Sequence, residues 1–400
     1  MKREKVDIFI SGGGVAGLTA AAVFGSVGFS VICVDPTAPV TTGDAPGSDL
    51  RTTAFLQPAR DLLEEAGLWD RLKTDATPLN VMRIVDISGP AGTPPVSRDF
   101  EASDIGDAPF GWNLRNWVLR REMLDRLGDL PNVSFRPGVG FERLVARDAE
   151  ALVSLSDRSQ ISAKLVIAAD GRQSPVRAAV GIDVRTSRYG QKALSFAVTH
   201  DMPHGNVSTE IHDQGGPFTL VPLPDHDGSP CSAVVWMTDG PEAQRLARLA
   251  PSDFNAAATD RSAGLYGPLS LVAGPQVWPI ISQIADRMAA ARVALIAEAA
   301  HVLPPIGAQG LNMSLADLAC LRDLALASPD RLGSPEMLDR YHRERHTDIL
   351  LRVKGVEVLN RTSQSSSAWL QGLRAHGIKA LHDVEPIRRG LMRLGLGARG

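Results

Sequence analysis

The segment Val6-Asp7-Ile8-Phe9-Ile10-Ser11-Gly12-Gly13-Gly14-Val15-Ala16-Gly17 decides the fold of this 400-residue chain. Its first five residues predict a short buried strand, and the glycines at positions 12, 14 and 17 fit the pattern G-x-G-x-x-G. An Ala-rich run at residues 18–27 predicts a helix, and a second strand at residues 30–34 ends at Asp35. This order of strand, Gly-rich turn, helix, strand and acid predicts a dinucleotide site.

Each glycine of this turn has a separate task in such a site. Gly12 allows the tight turn, Gly14 lets the backbone approach a pyrophosphate, and Gly17 lets the helix pack closely on the strand. Asp35 can accept hydrogen bonds from a ribose diol, which favours FAD or NAD over NADP. The alternative is a chance Gly-rich turn. The residues that we assign to the cofactor here are Gly12, Gly14, Val15, Ala16, Gly17 and Asp35.

A second Gly-rich segment, residues 297–312, follows an apolar run at residues 293–296. It has an acid at a strand end, a Pro-Pro turn and Gly-x-x-Gly at a helix start, which suits an extended anionic cofactor. By itself the segment fits an ordinary strand–turn–helix connection equally well. Its candidate cofactor residues are Glu298, Pro305, Gly307, Gly310, Leu311 and Asn312.

A third segment, residues 165–177, has an apolar strand that runs into Asp170-Gly171, with Pro175 at the start of a helix. By itself an Asp-Gly pair is an everyday turn. Asp170 and Gly171 are candidate cofactor residues because two other cofactor-type segments occur in the same sequence.

Together the three segments resemble the single-component flavoprotein aromatic hydroxylases, from Val6 to Gly397. In that family the N-terminal glycines bind the ADP half of FAD, the Asp-Gly motif serves the pyrophosphate region and the passing pyridine nucleotide, and a late Gly-Asp motif holds the ribityl chain. The strongest resemblance is to the ubiquinone-biosynthesis hydroxylases, with a fingerprint of approximately H-P-x-[AG]-G-Q-G-x-N-x-G-x-x-D. The matching residues are Pro305, Ile306, Gly307, Gln309, Gly310, Asn312 and Asp317.

The sequence departs from the family pattern at several positions near the flavin. Ala297-Glu298 stands for Gly-Asp, Pro304 for His, Ala308 for Gly and Ser314 for Gly. Glu298 keeps the carboxylate with one more methylene, and Ala297 puts a Cβ where backbone usually approaches the cofactor. We interpret these departures as a feature of a sub-branch; the alternative is a weakly held or lost flavin.

The resemblance implies that reduced FAD reacts with O2 to give a C4a-hydroperoxide, whose distal oxygen an electron-rich phenol ring attacks. The N–H groups of the helix that starts near residues 310–312 would face the N1–C2=O edge of the flavin. Arg51 and Arg120 are candidates for the pyrophosphate and its surroundings, although Arg120 could equally be a solvated surface charge. No catalytic side chain is assigned, and His301 is interpreted as structural.

Composition narrows the class of protein further. The net charge of −3 gives no support for a nucleic-acid partner. The cysteines Cys33, Cys231 and Cys320 lie far apart, which predicts a reducing compartment and no metal site. No apolar run reaches the ~20 residues that span a bilayer, and the nucleotide pattern explains the N-terminus better than a cleaved signal does. We therefore expect a cytoplasmic protein, with peripheral membrane contact as a further expectation.

These observations predict an α/β (α+β) protein with a Rossmann-like FAD-binding domain, an antiparallel-sheet substrate domain and a helical C-terminus. The predicted FAD-binding domain comprises residues 1–75, 111–181 and 281–330. The substrate domain comprises residues 76–110 and 182–280, and the C-terminal helical region residues 331–400.

The predicted function is FAD-dependent hydroxylation of a polyprenylated phenol by O2 in ubiquinone biosynthesis, with other quinone-biosynthesis proteins as candidate partners. NAD(P)H is a candidate electron donor. One alternative is an NAD(P)H-dependent hydroxylase of a small soluble aromatic. The other is a flavin-poor, non-catalytic member of a quinone-biosynthesis assembly.

Overall fold

The computed structural model of the chain describes residues 3–88, 95–213, 215–305, 308–363, 389–390 and 392. Its strands are β1 (Glu4–Ser11), β2 (Val31–Asp35), β3 (Thr52–Leu56), β4 (Thr77–Leu79), β5 (Val81–Asp86), β6 (Val96–Glu101), β7 (Gly111–Arg115), β8 (Val133–Pro137), β9 (Phe141–Ala146), β10 (Ala151–Leu155), β11 (Gln160–Ala168), β12 (Val184–Thr199), β13 (Val207–His212), β14 (Phe218–His226), β15 (Ser229–Asp239), β16 (Ser270–Ala285), β17 (Ala289–Ala290), β18 (Val293–Leu295) and β19 (His301–Val302). Its α-helices are α1 (Val15–Ser26), α2 (Gln57–Glu65), α3 (Trp69–Leu72), α4 (Asn116–Gly128), α5 (Pro175–Ala179), α6 (Gly240–Leu246), α7 (Pro251–Arg261), α8 (Gln309–Ala327) and α9 (Pro335–Ser363).

The first sheet has the Rossmann-like arrangement that the N-terminal segment predicts. Its strands run in the order β17-β18-β11-β1-β2-β8, and β1 pairs in parallel with both β11 and β2. The apolar centre of β1, Ile8 to Ile10, is fully buried because helices and neighbouring strands enclose it. The carboxyl ends of β1, β2 and β11 therefore lie side by side, which is where ligands bind in such sheets.

The second sheet has the order β19-β16-β12-β15-β14-β13-β5-β6. All its pairs are antiparallel except β13 and β5, which run parallel. Helices α6 and α7 cover one face, where the Phe196 and Phe254 rings meet edge to face with 4.9 Å between centroids. Because successive side chains alternate along a strand, the opposite face carries a separate apolar cluster.

A small third sheet, β3-β7-β4, links the two large ones. From β7, Asn113 Nδ2 donates to Pro222 O of β14 at 2.9 Å. In the loop before β3, Ser48 O accepts a hydrogen bond from Gln276 Nε2 of β16 at 3.2 Å. The loop and third sheet therefore fix the position of the second sheet over the carboxyl ends of the first.

Three predicted elements have different bounds in the structure. Apolar spacing predicts one helix at residues 59–72, but the structure has two, α2 and α3, because the chain turns at Gly67 with φ +69°. Helix α8 begins at Gln309, just before the start predicted near residues 310–312. Helix α4 extends from Asn116 to Gly128, beyond the helix that the sequence predicts at residues 120–127. The predicted Gly307 site and the tail at residues 393–400 lie outside the described residues.

The predicted domain boundaries remain a prediction, although the strands follow them in part. Strands from residues 76–110 and 182–280 do share the second sheet, but β16 continues to Ala285 and β19 adds residues 301–302. Among the described residues, no helix is long and apolar enough to cross a membrane.

Candidate functional site

The turn between β1 and α1 contains two kinds of glycine. Gly12 and Gly17 pack against backbone atoms, whereas Gly14 faces open space. A Cβ added to Gly17 would lie 1.9 Å from Gly12 O, and one added to Gly12 would lie 2.3 Å from Ala169 O. Gly12 also has φ +114°, which other residues rarely adopt. A Cβ on Gly14 would meet no atom within 4 Å in the part of the chain that the structure describes. The turn is therefore closed on the sheet side and open at Gly14.

The acid at the end of β2 is tied to this turn. Gly13 N–H donates to Asp35 Oδ2 at 2.6 Å, and Thr37 N–H donates to Asp35 Oδ1 at 2.8 Å. Val15 and Ala16 form the first turn of α1 and are half-buried. Asp35 thus fixes the Gly-rich turn against the next strand while keeping part of its surface exposed.

Asp170 follows β11 and lies beside the same turn. Its Oδ2 accepts hydrogen bonds from Ser11 Oγ at 3.3 Å and Val176 N–H at 3.1 Å. Its Oδ1 is buried and has no hydrogen-bond partner among the described residues. Burial raises the pKa of Asp170, although Ser174, Val176 and Ser11 act in the opposite direction. Gly171 has φ +83° and open space where a Cβ would stand. A buried polar oxygen without a donor is uncommon and indicates a place for a ligand.

Arg51 and Arg120 converge on one buried carboxylate, that of Asp49. Arg51 makes a two-pronged contact with Asp49, with two distances of 2.8 Å, and Arg120 lies 3.2 Å from it. Asn116 Nδ2 also donates to Asp49 at 3.1 Å. Burial alone would raise the pKa of Asp49, but hydrogen bonding and charge from Arg51, with Asn116 and Arg120, hold it below its usual range. Sequence reasoning missed the role of Asp49, because two of its partners, Asn116 and Arg120, come from the distant helix α4.

The Arg51 guanidinium also lies over the Trp278 ring, 4.4 Å from its centroid. The Arg51 side chain remains 38% exposed, so it faces an open crevice despite its two partners. Around it, several buried polar atoms have no hydrogen-bond partner within the described residues. They are Ser48 Oγ, Arg120 Nε, Gln276 Oε1 and Trp278 Nε1.

The late acidic residue lies in a short 3-10 turn, Ala297–Ala299, after β18. Glu298 is about half exposed, and its Oε2 lies 3.8 Å from Arg172 Nε. Ala297 has φ +54°, in the left-handed region that favours glycine. Ala308, the other alanine that replaces a family glycine, has φ +55° at the start of α8. Both departures from the family pattern therefore keep the backbone shape that glycine would favour.

The start of α8 is fixed by the Asn312 side chain. Asn312 Nδ2 donates to Ala54 O at 2.7 Å and to Ala308 O at 2.6 Å. Asn312 Oδ1 accepts from Leu56 N–H at 2.9 Å. Its amide is thus used to hold α8 against β3. Nearby, Pro305 and Gly310 are exposed and Leu311 is half-buried.

His301 is buried below this helix start and contacts another motif residue. Its Nε2 lies 2.6 Å from Asp317 Oδ2, and Arg345 Nε donates to Asp317 Oδ1 at 2.7 Å. All three side chains are at most 6% exposed. This geometry agrees with a structural His301 and shows that Asp317 joins α8 to β19 and α9.

Comparisons with known proteins identify the family of the chain. The family model for the FAD binding domain matches residues 5–349. The chain is 32% identical to ubiquinone hydroxylase UbiL of Rhodospirillum rubrum over 396 residues, which is 98% of this chain and 89% of that protein. It is 24% identical to 3-demethoxyubiquinol 3-hydroxylase of Escherichia coli, across 99% of this chain and 100% of that protein. The crystal structure of p-nitrophenol 4-monooxygenase PnpA of Pseudomonas putida aligns with TM-score 0.80 and 18% identity, covering 99% of this chain and 100% of that one.

Fold and sequence relatives together define an FAD-dependent aromatic monooxygenase, with FAD as its cofactor. Within that class the chain belongs to the ubiquinone-biosynthesis hydroxylase family.

Proposed function

We propose that the protein hydroxylates the aromatic ring of a polyprenylated phenol on the way to ubiquinone. The names of its relatives, a ubiquinone hydroxylase and a 3-demethoxyubiquinol 3-hydroxylase, support this place in metabolism. The observation that carries the substrate class is the face of the second sheet turned toward the third sheet, which we call the inner face. Its cluster consists of Leu223, Cys231 and Ala233, with Ala197 and Val272 packed against them.

This inner face suits a ligand that is mostly hydrocarbon. At the margin of this cluster Ala197 and Val272 are only partly buried, so a prenyl chain laid against them would lose contact with water at a gain of about 0.8 kcal/mol per buried CH2. A free hydroxybenzoate would gain much less there, because most of its surface is polar or charged.

The residues near the three cofactor segments fit FAD. Open space at Gly14 gives room for a pyrophosphate, and the unpartnered Asp170 Oδ1 and Arg120 Nε give polar groups that a ligand can satisfy. We propose that Gly12, Gly14, Val15, Ala16, Gly17 and Asp35 hold the ADP half, with Arg51, Arg120, Asp170 and Gly171 around the pyrophosphate. When bound and reduced, FAD supplies the activation of O2 for transfer of one oxygen atom to the ring.

Other residues would hold the remainder of the cofactor. The half-exposed Glu298 carboxylate can accept a hydrogen bond from a ribityl hydroxyl. The first N–H groups of α8, near Gly310, Leu311 and Asn312, lack intrahelical partners and carry the positive end of the helix dipole. Pro305 and Gly307 belong to the same segment, so we propose that this part of the chain borders the flavin ring. The second sheet would exclude water from that ring.

The experiment is to give the reduced, FAD-loaded protein O2 with either a prenylated phenol or 4-hydroxybenzoate. We expect hydroxylated product from the prenylated phenol and mostly hydrogen peroxide with 4-hydroxybenzoate. Efficient product formation from 4-hydroxybenzoate alone would overturn the proposal and favour a small soluble aromatic. The same assay with NADH or NADPH in place of a chemical reductant identifies the electron donor. Contact with a membrane or with other quinone-biosynthesis proteins stays a prediction.

A further inference from the structure

The first turn of α8 is held by two side chains, one bonded to β3 and the other to α9. The N-cap residue of the helix is Ala308, which makes no side-chain hydrogen bond to the first N–H groups. Asn312 bonds to the backbone of β3. Gln309 Oε1 accepts a hydrogen bond from Arg352 Nη1 of α9 at 3.2 Å. These two tertiary contacts therefore take the place of a cap in fixing the start of α8.

Arg352 is itself held by a series of ion pairs that starts in the buried part of α9. Its Nε donates to Asp348 Oδ1 at 3.0 Å, and Asp348 Oδ2 accepts from Arg345 Nη1 at 2.9 Å. Arg345 also donates to Asp317 Oδ1 at 2.7 Å and to Met313 O at 3.4 Å, both on α8. Because Arg345 and Asp317 are buried, water does not compete for their contact. The Arg352 guanidinium is thus oriented by a neighbour that is firmly anchored to α8.

The spacing of these contacts shows that α9 runs along the first turns of α8. Gln309, Met313 and Asp317 follow one another at intervals of one helical turn, so they share one side of α8. On α9, Arg345 and Arg352 are two turns apart and share a side as well. Arg345 contacts the later part of this stretch and Arg352 its beginning, so the two helices are antiparallel here. Helix α9 therefore reaches the flavin-side end of α8 through Arg352.

We propose that Arg352 is a positioning residue, which acts through Gln309 to hold the first N–H groups of α8 at the flavin ring. The inference rests on the proposed function, in which the start of α8 borders that ring, and deepens it by giving α9 a task. Reduction adds negative charge to the ring, and hydrogen bonds and helix dipoles act more strongly on a charged acceptor than on a neutral one. A displaced helix start therefore destabilises bound reduced flavin more than bound oxidised flavin.

The test removes each side of the contact and measures the reduction potential of the bound FAD. Arg352→Met and Gln309→Leu should each weaken binding of reduced relative to oxidised flavin about 3- to 10-fold. For a two-electron couple, tenfold corresponds to a potential lower by about 30 mV. The double variant should shift the potential no further than either single one, because both changes remove the same contact. Arg352→Lys keeps a cationic donor and should lie between the parent and Arg352→Met.

Arg340→Met is the matched control and should leave the potential unchanged. Arg340 also pairs with an acid one turn away on α9, but it makes no hydrogen bond to α8 within the described part of the chain. A change that only loosened the fold would weaken both forms of FAD alike and would not shift the potential.

Potentials equal to that of the parent in Arg352→Met and Gln309→Leu would overturn the inference, and so would shifts that simply add in the double variant. If Arg352→Met holds no flavin, Gln309→Leu and Arg352→Lys decide by the same criterion. A parent that hydroxylates the prenylated phenol while the variants keep its potential would leave the proposed function standing without the inference. If the potentials shift as expected but the parent makes no hydroxylated product, the proposed substrate is wrong and the inference stands.

Discussion

At Gly14 an added side chain would enter open space, whereas at Gly17 it would collide with the backbone of Gly12. Substitutions at these two positions therefore test cofactor binding and folding separately. We expect Gly14→Val to fold but to bind no FAD, because the branched side chain fills the space assigned to the pyrophosphate. Gly17→Ala should fail to fold, since its Cβ has no room.

Flavin absorbance after purification measures the first effect, and circular dichroism measures the second. At Gly28 an added Cβ would likewise meet no atom of the described residues within 4 Å, so Gly28→Val is a comparison for available space, although the φ of +93° there adds strain. A Gly14→Val protein that retains a full complement of flavin would show that the pyrophosphate binds elsewhere.

Ala297 should be a strained residue. An alanine in the left-handed region is disfavoured by about 1–2 kcal/mol, while glycine adds about 0.5–1 kcal/mol of unfolded-state entropy. Ala297→Gly should therefore raise the free energy of unfolding by about 0.5–1 kcal/mol, which urea unfolding of the FAD-free protein can measure. Ala299→Gly, in the same short turn but with an ordinary backbone angle, should lower it. If Ala297→Gly lost as much stability as Ala299→Gly, the backbone at Ala297 would not be strained.

At the scale of elements, Asp317 joins α8, β19 and α9. Removing its charge takes away one of the two carboxylates that pair with Arg345, the other being Asp348 at 2.9 Å, and weakens the contact with His301. Asp317→Asn should therefore lower the free energy of unfolding by about 1.5–3 kcal/mol, the range for a hydrogen bond to a charged group. Asp323→Asn, an exposed acid on the same helix, should change it by less than about 0.5 kcal/mol. Equal urea midpoints for the two variants would mean that this network does not hold the elements together.

The Asp49 carboxylate links the loop before β3 to α4, and its contribution should depend on pH. Because Arg51, Asn116 and Arg120 hold its pKa below the ordinary value of about 3.9, the folded state gains stability above that value. This gain is lost as the pH falls through the lowered pKa. The stability difference between the parent and Asp49→Asn should thus be constant above about pH 5 and shrink below about pH 4. Urea unfolding at several pH values measures it, and a difference that grows in acid would contradict the assigned pairing.

Elements with a local signal were predictable from the sequence, whereas contacts between distant segments were not. The buried strand β1, its Gly-rich turn and α1 follow from apolar residues and glycines that are adjacent in the chain. The convergence of Arg51, Arg120 and Asn116 on Asp49 depends on pairing β3 with β7, which no local pattern encodes. Gly67 allows the turn between α2 and α3, but the apolar spacing on both sides of it is that of a single helix, so the spacing alone does not predict the break.

For the whole molecule, the second sheet cannot be cut out as a continuous piece. A fragment of residues 182–285 lacks β5, β6 and β19, so the edge of β13 would lose its parallel neighbour. An uncovered strand edge presents unpaired backbone groups, which favours pairing with other chains. We expect this fragment to aggregate, whereas a fusion that adds residues 76–110 should be more soluble; size-exclusion chromatography of both measures this. A monomeric, folded 182–285 fragment would contradict the prediction.

The parallel pairing of β5 with β13 also determines how late in synthesis β5 can find its partner strand. Synthesis of β5 and β6 is complete at residue 101, yet β13, the parallel partner of β5, begins only at Val207. At 5–20 residues per second, the hairpin waits roughly 5–20 s before its partner exists. During the first part of that wait, until residue 168 is made, the nascent first sheet also lacks β11, which pairs with β1. During this interval the nascent chain exposes unpaired strands to which chaperones can bind. Slowing translation between β6 and β13 should lengthen the time for which these strands stay unpaired.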